Sequence, residues 1–324
     1  MNQKNIPERQ AKRNYRDVDG ILLLDKPKGL TSNHALQKVR HIYRARKGGH
    51  TGSLDPLASG MLPLCFGQAT KVSTWLLNAD KTYDVQIELG VKTDTGDADG
   101  SVIQTDSVFS ISENQLKQAL GKFRGQINQL PPMYSALKKD GKRLYDLARQ
   151  GKVVKRDSRS ITIHQIDLTN FDSKRPWFKV CCSKGTYVRT LMEDIAESLG
   201  TIAHVTDLRR TGIKPFAGFP MINMTDLEKV SDDELALDEL LIAPDLALGN
   251  ITEVSLSADE SFYFKNGHEV GHAPQGLNGL VRVYDNHLVF LGVGEISQAG
   301  AIAPKRLFIK TPNGIRNIKN QGVT

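Results

Sequence analysis

Cysteine is scarce in this chain of 324 residues, which holds only Cys65, Cys181 and Cys182. An odd number of cysteines, without a CxxC pair or a histidine-rich spacing, fits neither a disulfide framework nor a zinc site. The sequence therefore predicts a protein without disulfides or a bound metal, located in a reducing cytoplasm.

Long apolar runs are also lacking. The first one, Ile21–Leu24, is too short for a signal peptide or a membrane span, so neither export nor membrane insertion is expected. Hydrophobic residues make up 39% of the chain and charged residues 24%, which is ordinary for a globular protein. At roughly 150 residues per domain, the length predicts about two folded domains.

Charge is unevenly distributed along the chain. Lysine and arginine number 43 against 36 acidic residues, which gives a formal net charge of +7. Basic residues cluster in 1–16, 37–47 and 138–159, whereas 225–249 holds eight acidic residues and one lysine. This separation indicates one face that binds a polyanion and another that avoids it. Charge runs that are merely solvated are the alternative.

Apolar periodicity predicts a mixed α/β fold. Gly20–Asp25 is typical of a short buried strand, and the alternation over Tyr83–Leu89 predicts a strand with one buried face. Ser32 or Asn33 is predicted to cap the helix that follows the first strand. The apolar stripe of this helix is formed by Ala35, Leu36, Val39, Ile42 and Tyr43.

A junction between a strand and a helix is predicted near residue 185. Trp177–Ser183 has the composition of a strand, and the apolar positions of the next helix stop at Gly200. Tyr187 and Arg189 are therefore expected at the start of that helix.

A second domain is predicted to begin after Gly249. From Ile251 onward the pattern changes to short strands and turns. A hairpin is expected in which Asp285 and Asn286 form a two-residue turn.

A glycine-rich loop, 47–60, places Asp55 directly before Pro56. Glycines let the backbone approach a ligand closely, and Pro56 biases Asp55 toward an extended conformation that displays its side chain. From spacing alone, however, an aspartate in such a loop is more often a turn or helix-capping residue.

The residue string in this loop is more specific than its spacing. Residues 49–60 read Gly-His-Thr-Gly-Ser-Leu-Asp-Pro-Leu-Ala-Ser-Gly and resemble the signature of bacterial tRNA pseudouridine synthases of the TruB family. The resemblance continues in the family's order over most of residues 20–215. Further matching motifs are Leu24-Asp25-Lys26-Pro27-x-Gly29, Lys81-x-Tyr83, Pro131-Pro132-x-Tyr134-Ser135-Ala136, Gly185-Thr186-Tyr187-Val188-Arg189-Thr190 and Leu208-Arg209-Arg210-Thr211.

The resemblance implies a domain organisation. Residues 17–249 are expected to form an α/β (α+β) catalytic domain of the pseudouridine synthase type, with a mixed, largely antiparallel sheet. An RNA-gripping insertion is expected at about 124–159, and a small β-barrel that resembles a PUA domain at 250–316. The polar ends, 1–16 and 317–324, are expected to be flexible tails.

The resemblance also implies the chemistry. Asp55 matches the family's catalytic aspartate, which initiates cleavage of the uridine glycosidic bond without a cofactor, either as a nucleophile or as a base at the sugar. Arg189 is expected to keep this carboxylate ionised, because a nearby guanidinium lowers the pKa of an aspartate and offsets desolvation. Tyr83 matches a tyrosine that packs against the target base and helps to remove the proton from carbon 5, although an ordinary core tyrosine is the alternative.

The expected partner is the T stem-loop of tRNA, bound by a monomer without an obligate protein partner. His50 matches a residue that contacts the RNA loop and assists extrusion of the target nucleotide. Leu208 matches a residue that closes the hydrophobic pocket, although a core leucine is an equal alternative. The remaining residues expected to bind substrate are Thr51, Gly52, Tyr187 and Arg209.

Rival functions stay open on the sequence alone. A noncatalytic RNA-binding or tRNA-folding protein would need the same basic surface. An aspartate-dependent RNA glycosylase or hydrolase would need a similar carboxylate, but it would leave a free base among its products.

Overall fold

The structure is a computed structural model that describes residues 15–107, 110–271, 273, 274 and 276–308. The predicted tail at 317–324 and nearly all of the tail at 1–16 lie outside these residues, as does the predicted end of the second domain at residue 316. Arg16 is described, and its guanidinium donates to the Asp238 carboxylate at 2.7 Å.

Most of the strands lie within residues 20–223. They are β1 (Gly20–Lys26), β2 (Gly48–His50), β3 (Ser59–Phe66), β4 (Lys81–Leu89), β5 (Val91–Thr93), β6 (Val102–Thr105), β7 (Gly125–Gln129), β8 (Lys138–Lys139), β9 (Lys142–Arg143), β10 (Arg159–Asn170), β11 (Trp177–Cys182), β12 (Ala203–Ile213) and β13 (Ile222–Asn223).

The main sheet of the described residues has nine strands. Eight of them lie in the order β13-β1-β3-β12-β4-β11-β10-β7, and β2 pairs with β3. All pairings are antiparallel except β1 with β13 and β3 with β12. The prediction of a mixed, largely antiparallel sheet is confirmed.

Helices cover this sheet and extend beyond it. They are α1 (Ser32–Ile42), α2 (Ser73–Asn78), α3 (Glu113–Gly121), α4 (Leu144–Ala148), α5 (Val188–Ser198), α6 (Met224–Lys229), α7 (Glu234–Glu239) and α8 (Ala258–Lys265), with 3₁₀ helices at Gly67–Val72 and Pro244–Leu248. None of the helices in the described part of the chain is both long and apolar enough to cross a membrane.

The predicted cap of α1 was wrong. Thr31 is the N-cap, and its hydroxyl accepts from the His34 N–H at 3.1 Å. Ser32 instead turns inward and is buried. Its hydroxyl donates to the Leu54 carbonyl at 3.0 Å and accepts from the Leu54 N–H at 2.7 Å, so it ties α1 to the loop that carries Asp55.

The core forms where apolar faces of strands and helices meet. Residues at every second position of β4, from Lys81 to Leu89, are buried, as a strand with one core face requires. Ala35, Leu36 and Val39 bury the predicted stripe of α1 in the same core cluster. Because the side chains of a strand alternate, Tyr83 lies on the buried face together with Val85.

A second, four-stranded sheet follows. Its strands β14 (Thr252–Ser255), β15 (Gly279–Tyr284), β16 (Phe290–Ile296) and β17 (Ile302–Leu307) lie in that order. Over the described part of 250–316 this sheet is open, so the expected closed barrel is not found. The predicted hairpin is present, but its turn spans residues 285–289, because the Asp285 carboxylate accepts from the N–H groups of His287 and Val289.

The second sheet packs against the first through apolar side chains. Val293 and Phe308 share a buried cluster with Ile21, Met61 and Ile213 of the main sheet. The strands that contact the second sheet are therefore β1, β3 and β12, which are neighbours inside the main sheet.

We expect Gly60 to be a strict requirement of this fold. A Cβ there would lie 2.2 Å from the Arg210 carbonyl oxygen, and its φ of +98° is strained for other residues. Gly60→Ala should lower the free energy of unfolding by about 2–4 kcal/mol, measured by chemical denaturation. Gly49→Ala, which meets no described atom within 4 Å, is the matched control and should change it by no more than about 1 kcal/mol. Equal denaturation midpoints for the two variants would contradict this expectation.

Candidate active site

The Asp55 loop is held by backbone hydrogen bonds on both sides of the aspartate. Besides the Ser32–Leu54 contacts, the Gly29 N–H donates to the Pro56 carbonyl at 2.8 Å. The Asp55 carbonyl accepts from the Ala58 N–H at 3.1 Å. The Asp55 side chain is left 43% exposed, so the carboxylate is displayed rather than used as a cap.

The guanidinium of Arg189 lies beside this carboxylate. Arg189 is the second residue of α5 and only 6% exposed, and its Nε lies 3.1 Å from Asp55 Oδ2. Its Nη1 lies 3.3 Å from Asp97 Oδ2 and donates to the Thr95 carbonyl at 2.6 Å. Its Nη2 donates to the Tyr134 carbonyl at 2.9 Å. The buried cation is thus surrounded by two carboxylates and two carbonyls.

Asp97 is a member of this cluster that the sequence analysis missed. It is 4% exposed, and its carboxylate accepts from the Thr95 hydroxyl at 2.7 Å. Its carbonyl accepts from the Thr93 hydroxyl at 2.7 Å. The polar, glycine-containing stretch 93–97 directly after a strand was the only available signal, and it is also typical of an ordinary turn.

The environment of Asp55 changes its acidity. Although the Asp55 side chain is partly exposed, the walls of the cleft desolvate its carboxyl, and this raises its pKa above the ordinary value of 3.8. Arg189 opposes the rise, and Asp97 adds to it. Burial is the largest influence on this carboxyl, and the guanidinium of Arg189 is the largest influence that opposes it.

A cavity of about 320 Å³ opens in front of this cluster. Small-molecule sites in proteins are typically about 300–1,000 Å³ in volume, so the cavity can admit a single nucleobase. Its lining includes most of the residues predicted to form the site: Gly52, Asp55, Tyr83, Tyr187, Arg189 and Leu208. Burial raises the pKa of Tyr83, which keeps its hydroxyl protonated at neutral pH.

Three predicted residues lie outside that lining. Arg209 forms a bidentate ion pair with Asp25. Its Nη1 donates to Oδ1 at 2.9 Å, and its Nη2 donates to Oδ2 at 2.7 Å. Thr51 is fully buried, and His50 is half-buried in β2. Burial and the neighbouring Arg210 lower the pKa of His50, which favours a neutral ring at pH 7.

Arg210, rather than Arg209, faces the cavity, because neighbouring residues of a strand point to opposite faces. Arg210 is 1% exposed, and it donates to the carbonyls of Met61 at 2.7 Å and Gly52 at 2.9 Å. It thereby holds the beginning of the Asp55 loop against β3.

Two buried lysines flank the same region. Lys26 donates to the carbonyls of Pro27 and Leu30, both at 2.7 Å, and Lys81 donates to that of Leu77 at 2.8 Å. Burial lowers the pKa of each lysine to about 8. Among the described residues, no group of three or more histidine, cysteine, aspartate or glutamate side chains is arranged to hold a metal ion.

The fold is similar to that of solved structures. A chain in the structure described as a Cbf5-Nop10-Gar1 complex matches with a TM-score of 0.69 and 24% identity, covering 90% of this chain and 85% of that one. A chain of the archaeal box H/ACA sRNP Nop10-Cbf5 complex matches with a TM-score of 0.68 and 21% identity, covering 90% and 87%. At this identity the likeness supports the fold alone.

Family models cover nearly all of the described chain. The model of the TruB family pseudouridylate synthase (N terminal domain) matches residues 40–188. That of the tRNA pseudouridylate synthase B C-terminal domain matches 189–248, and that of pseudouridine synthase II TruB, C-terminal, matches 252–308. The fold and these matches define the class: the protein is a pseudouridylate synthase, an enzyme.

Curated relatives identify the family. The tRNA pseudouridine synthase B of Pseudomonas putida (strain GB-1) is 50% identical over 300 residues, which are 92% of this chain and 98% of the relative. That of Pseudomonas aeruginosa (strain UCBPP-PA14) is 50% identical over 301 residues with the same coverage. The chain belongs to the TruB family of pseudouridylate synthases.

We expect the charge of Arg189 to control the protonation of Asp55. Arg189→Gln removes the cation that lowers the carboxyl pKa, so Asp55 should titrate at higher pH than in the unchanged protein. The measurement is a carbon-13 NMR titration of the Asp55 carboxyl, assigned with Asp55→Asn. Arg175→Gln breaks an exposed ion pair with Glu88 and should leave the titration where it is. A titration unchanged in Arg189→Gln would contradict the coupling.

Proposed function

We propose that the enzyme converts uridine to pseudouridine in tRNA, at nucleotide 55 in the loop of the TΨC arm. The observation that carries the proposal is a single displayed carboxylate, Asp55, beside the buried Arg189 at a cavity of nucleobase size. The curated relatives that match 92% of the chain carry the name tRNA pseudouridine synthase B, which supports tRNA as the substrate.

The isomerisation needs one carboxylate and no redox partner. Asp55 initiates cleavage of the bond between C1′ and N1, either as a nucleophile or as a base at the sugar. The detached base turns, C1′ joins carbon 5, the carbon 5 proton leaves to water and N1 gains a proton. Atoms and electrons balance within the substrate, so the proposed reaction uses no cofactor.

Each residue lining the cavity has a proposed part in this reaction. Arg189 lowers the pKa of Asp55 and so opposes the effect of desolvation on its ionised form. Tyr83 packs against the target base, and its raised pKa favours this packing over removal of the carbon 5 proton. Tyr187, Leu208 and Gly52 form the walls that exclude water from the base.

The target nucleotide must leave its loop to reach the cavity. Unstacking a base costs a few kcal/mol, which contacts to the rest of the loop must offset. We assign His50 to these contacts, and the neutral ring of His50 suits stacking on a base more than pairing with a phosphate. Thr51 is fully buried, so we assign it to holding the loop beside His50 rather than to touching the RNA. Arg209, partly neutralised by Asp25, is assigned to the RNA backbone.

The insertion at about 124–159 is proposed to grip the RNA. Residues 138–159 hold nine basic and three acidic residues. We assign the second sheet, within the proposed domain 250–316, to a further RNA contact of the PUA type. The catalytic domain is then 17–249. The enzyme is proposed to act as a cytoplasmic monomer, without an obligate protein partner.

The Asp55 assignment is tested with tRNA that carries tritium at carbon 5 of uridine. The enzyme should release tritium to water, and Asp55→Asn should slow release by roughly 10⁴-fold, because the reacting carboxylate is lost. Asp167→Asn, which breaks an exposed ion pair with Arg124, should release tritium at the unchanged rate.

The same samples distinguish formation of pseudouridine from hydrolysis of uridine. Pseudouridine-specific labelling should map the product to nucleotide 55, and Asp55→Asn should still bind tRNA. Undiminished tritium release in Asp55→Asn would contradict the assignment of Asp55 as the reacting carboxylate. Free uracil among the products would indicate a hydrolase instead.

The insertion makes a prediction about salt. Lys142 is exposed, and Lys142→Gln should weaken tRNA binding and reduce the slope of log Kd against log salt by about 1, because one phosphate contact is lost. Lys229→Gln, on the acidic stretch, should leave the slope unchanged. Filter binding over a range of salt concentrations measures both, and equal slopes would contradict a gripping role.

A further inference from the structure

Gln129 is a fully buried polar residue at the end of β7. Its side-chain amide makes two hydrogen bonds with one other residue. The Nε2 group donates to the Tyr187 carbonyl at 3.0 Å, and Oε1 accepts from the Tyr187 N–H at 2.8 Å. Both backbone polar groups of Tyr187 are therefore bound by one side chain.

Arg159 holds the same tyrosine from the neighbouring strand. It pairs directly with Gln129 in the β7–β10 register. Its guanidinium lies over the Tyr187 ring, 4.6 Å from the centroid, and donates to the Gly185 carbonyl. Gln129 thus orients the backbone of Tyr187, and Arg159 orients its ring.

The position of Tyr187 determines the position of the Arg189 side chain. Tyr187 is the N-cap of α5, it makes no side-chain capping bond, and its carbonyl also accepts from the Leu191 N–H at 3.0 Å. Arg189 follows two residues later in the first turn. A shift of Tyr187 would therefore move the first turn of α5 and the guanidinium it carries.

The two clamping residues also belong to the basic insertion at about 124–159. Gln129 lies near its beginning, and Arg159 lies at its end. A third residue of the insertion is Tyr134, whose carbonyl accepts from Arg189 Nη2 at 2.9 Å. The insertion is thus connected to the Asp55–Arg189 pair through Tyr187 and directly through Tyr134.

We infer that Gln129, together with its strand partner Arg159, is a positioning residue that fixes Tyr187 and, through it, the Arg189 guanidinium beside Asp55. It couples the RNA-gripping insertion to the reacting carboxylate. This inference rests on the proposed function of Asp55 and Arg189. A merely structural Gln129 would affect unfolding but not the rate or the pH dependence of the folded enzyme.

The test is Gln129→Met, which keeps the length of the side chain and removes both hydrogen bonds. Single-turnover tritium release at saturating tRNA should fall roughly 10- to 100-fold, as expected for a misplaced reacting group. The Kd for tRNA should stay nearly unchanged. The acid limb of the pH profile should move to higher pH, because a displaced Arg189 lowers the pKa of Asp55 less.

The matched control is Gln165→Met on β10, the strand that carries Arg159 but outside the insertion. Gln165 is exposed and donates to the Asp167 carboxylate at 2.5 Å, without contact to Tyr187. This control should keep the rate and the acid limb of the unchanged enzyme. Arg159→Gln, at a less buried position, is the second variant and should move the acid limb in the same direction as Gln129→Met.

A double-mutant cycle tests whether Gln129 acts through Arg189. In an Arg189→Gln background, Gln129→Met should cost little further rate, because its effect passes through the missing guanidinium. An unchanged rate and acid limb in folded Gln129→Met, or in Arg159→Gln if the first variant does not fold, would overturn the inference. So would full additivity in the cycle. Asp55→Asn in the same assay separates the cases, since its retained activity would instead overturn the proposed function.

Discussion

The buried guanidinium of Arg189 is the interaction on which the site depends. A charge at 6% exposure is stable only when opposite charges and hydrogen bonds surround it. Here the partners are Asp55, Asp97 and the carbonyls of Thr95 and Tyr134. These come from the Asp55 loop, the turn after β5 and the insertion, so one side chain of α5 brings four separate segments together. Such a cluster adds little net stability, but losing one member would leave the others unpaired.

The rest of the site is built from cations that bind the backbone. Lys26, Lys81 and Arg210 all donate to carbonyl groups rather than to carboxylates. They bind carbonyl groups near the ends of β1, α2 and β3. Lys26 also opposes the desolvation of Asp55, because its charge lowers the pKa of that carboxyl. These cations thus hold the loops around the site, and one of them favours the ionised form of Asp55.

The wider architecture explains why the site is where it is. β3 and β12 are parallel neighbours in the middle of the sheet, and Arg210 pairs there with Gly60. The second sheet packs on the same two strands, where Val293 and Phe308 share a buried cluster with Met61 and Ile213. The strands β7 and β10 lie at the far edge of the sheet, and their residues Gln129 and Arg159 contact Tyr187. The segments proposed to bind RNA are therefore attached to the site through strands rather than through free loops.

Much of this was readable in the sequence. Local structure shows in the spacing of apolar residues along the chain. This is why the alternation of β4, the apolar stripe of α1 and the junction before α5 were predicted. Asp55, Tyr83 and Arg189 were recognisable because they lie in contiguous motifs. The N-cap of α1 and the turn after β15 were not, because several nearby polar residues were equally suited to each role.

By itself, then, the sequence determined the fold class and the family, and it singled out Asp55 and Arg189, which lie 3.1 Å apart in the structure. Only the tertiary structure decided which of Arg209 and Arg210 faces the cavity, because a shift of one residue along a strand exchanges its two faces. It also placed Asp97 beside Arg189 and Gln129 against Tyr187, through contacts between residues far apart in the chain. Partners so distant leave no periodic or local trace, since their proximity arises only when the sheet is assembled.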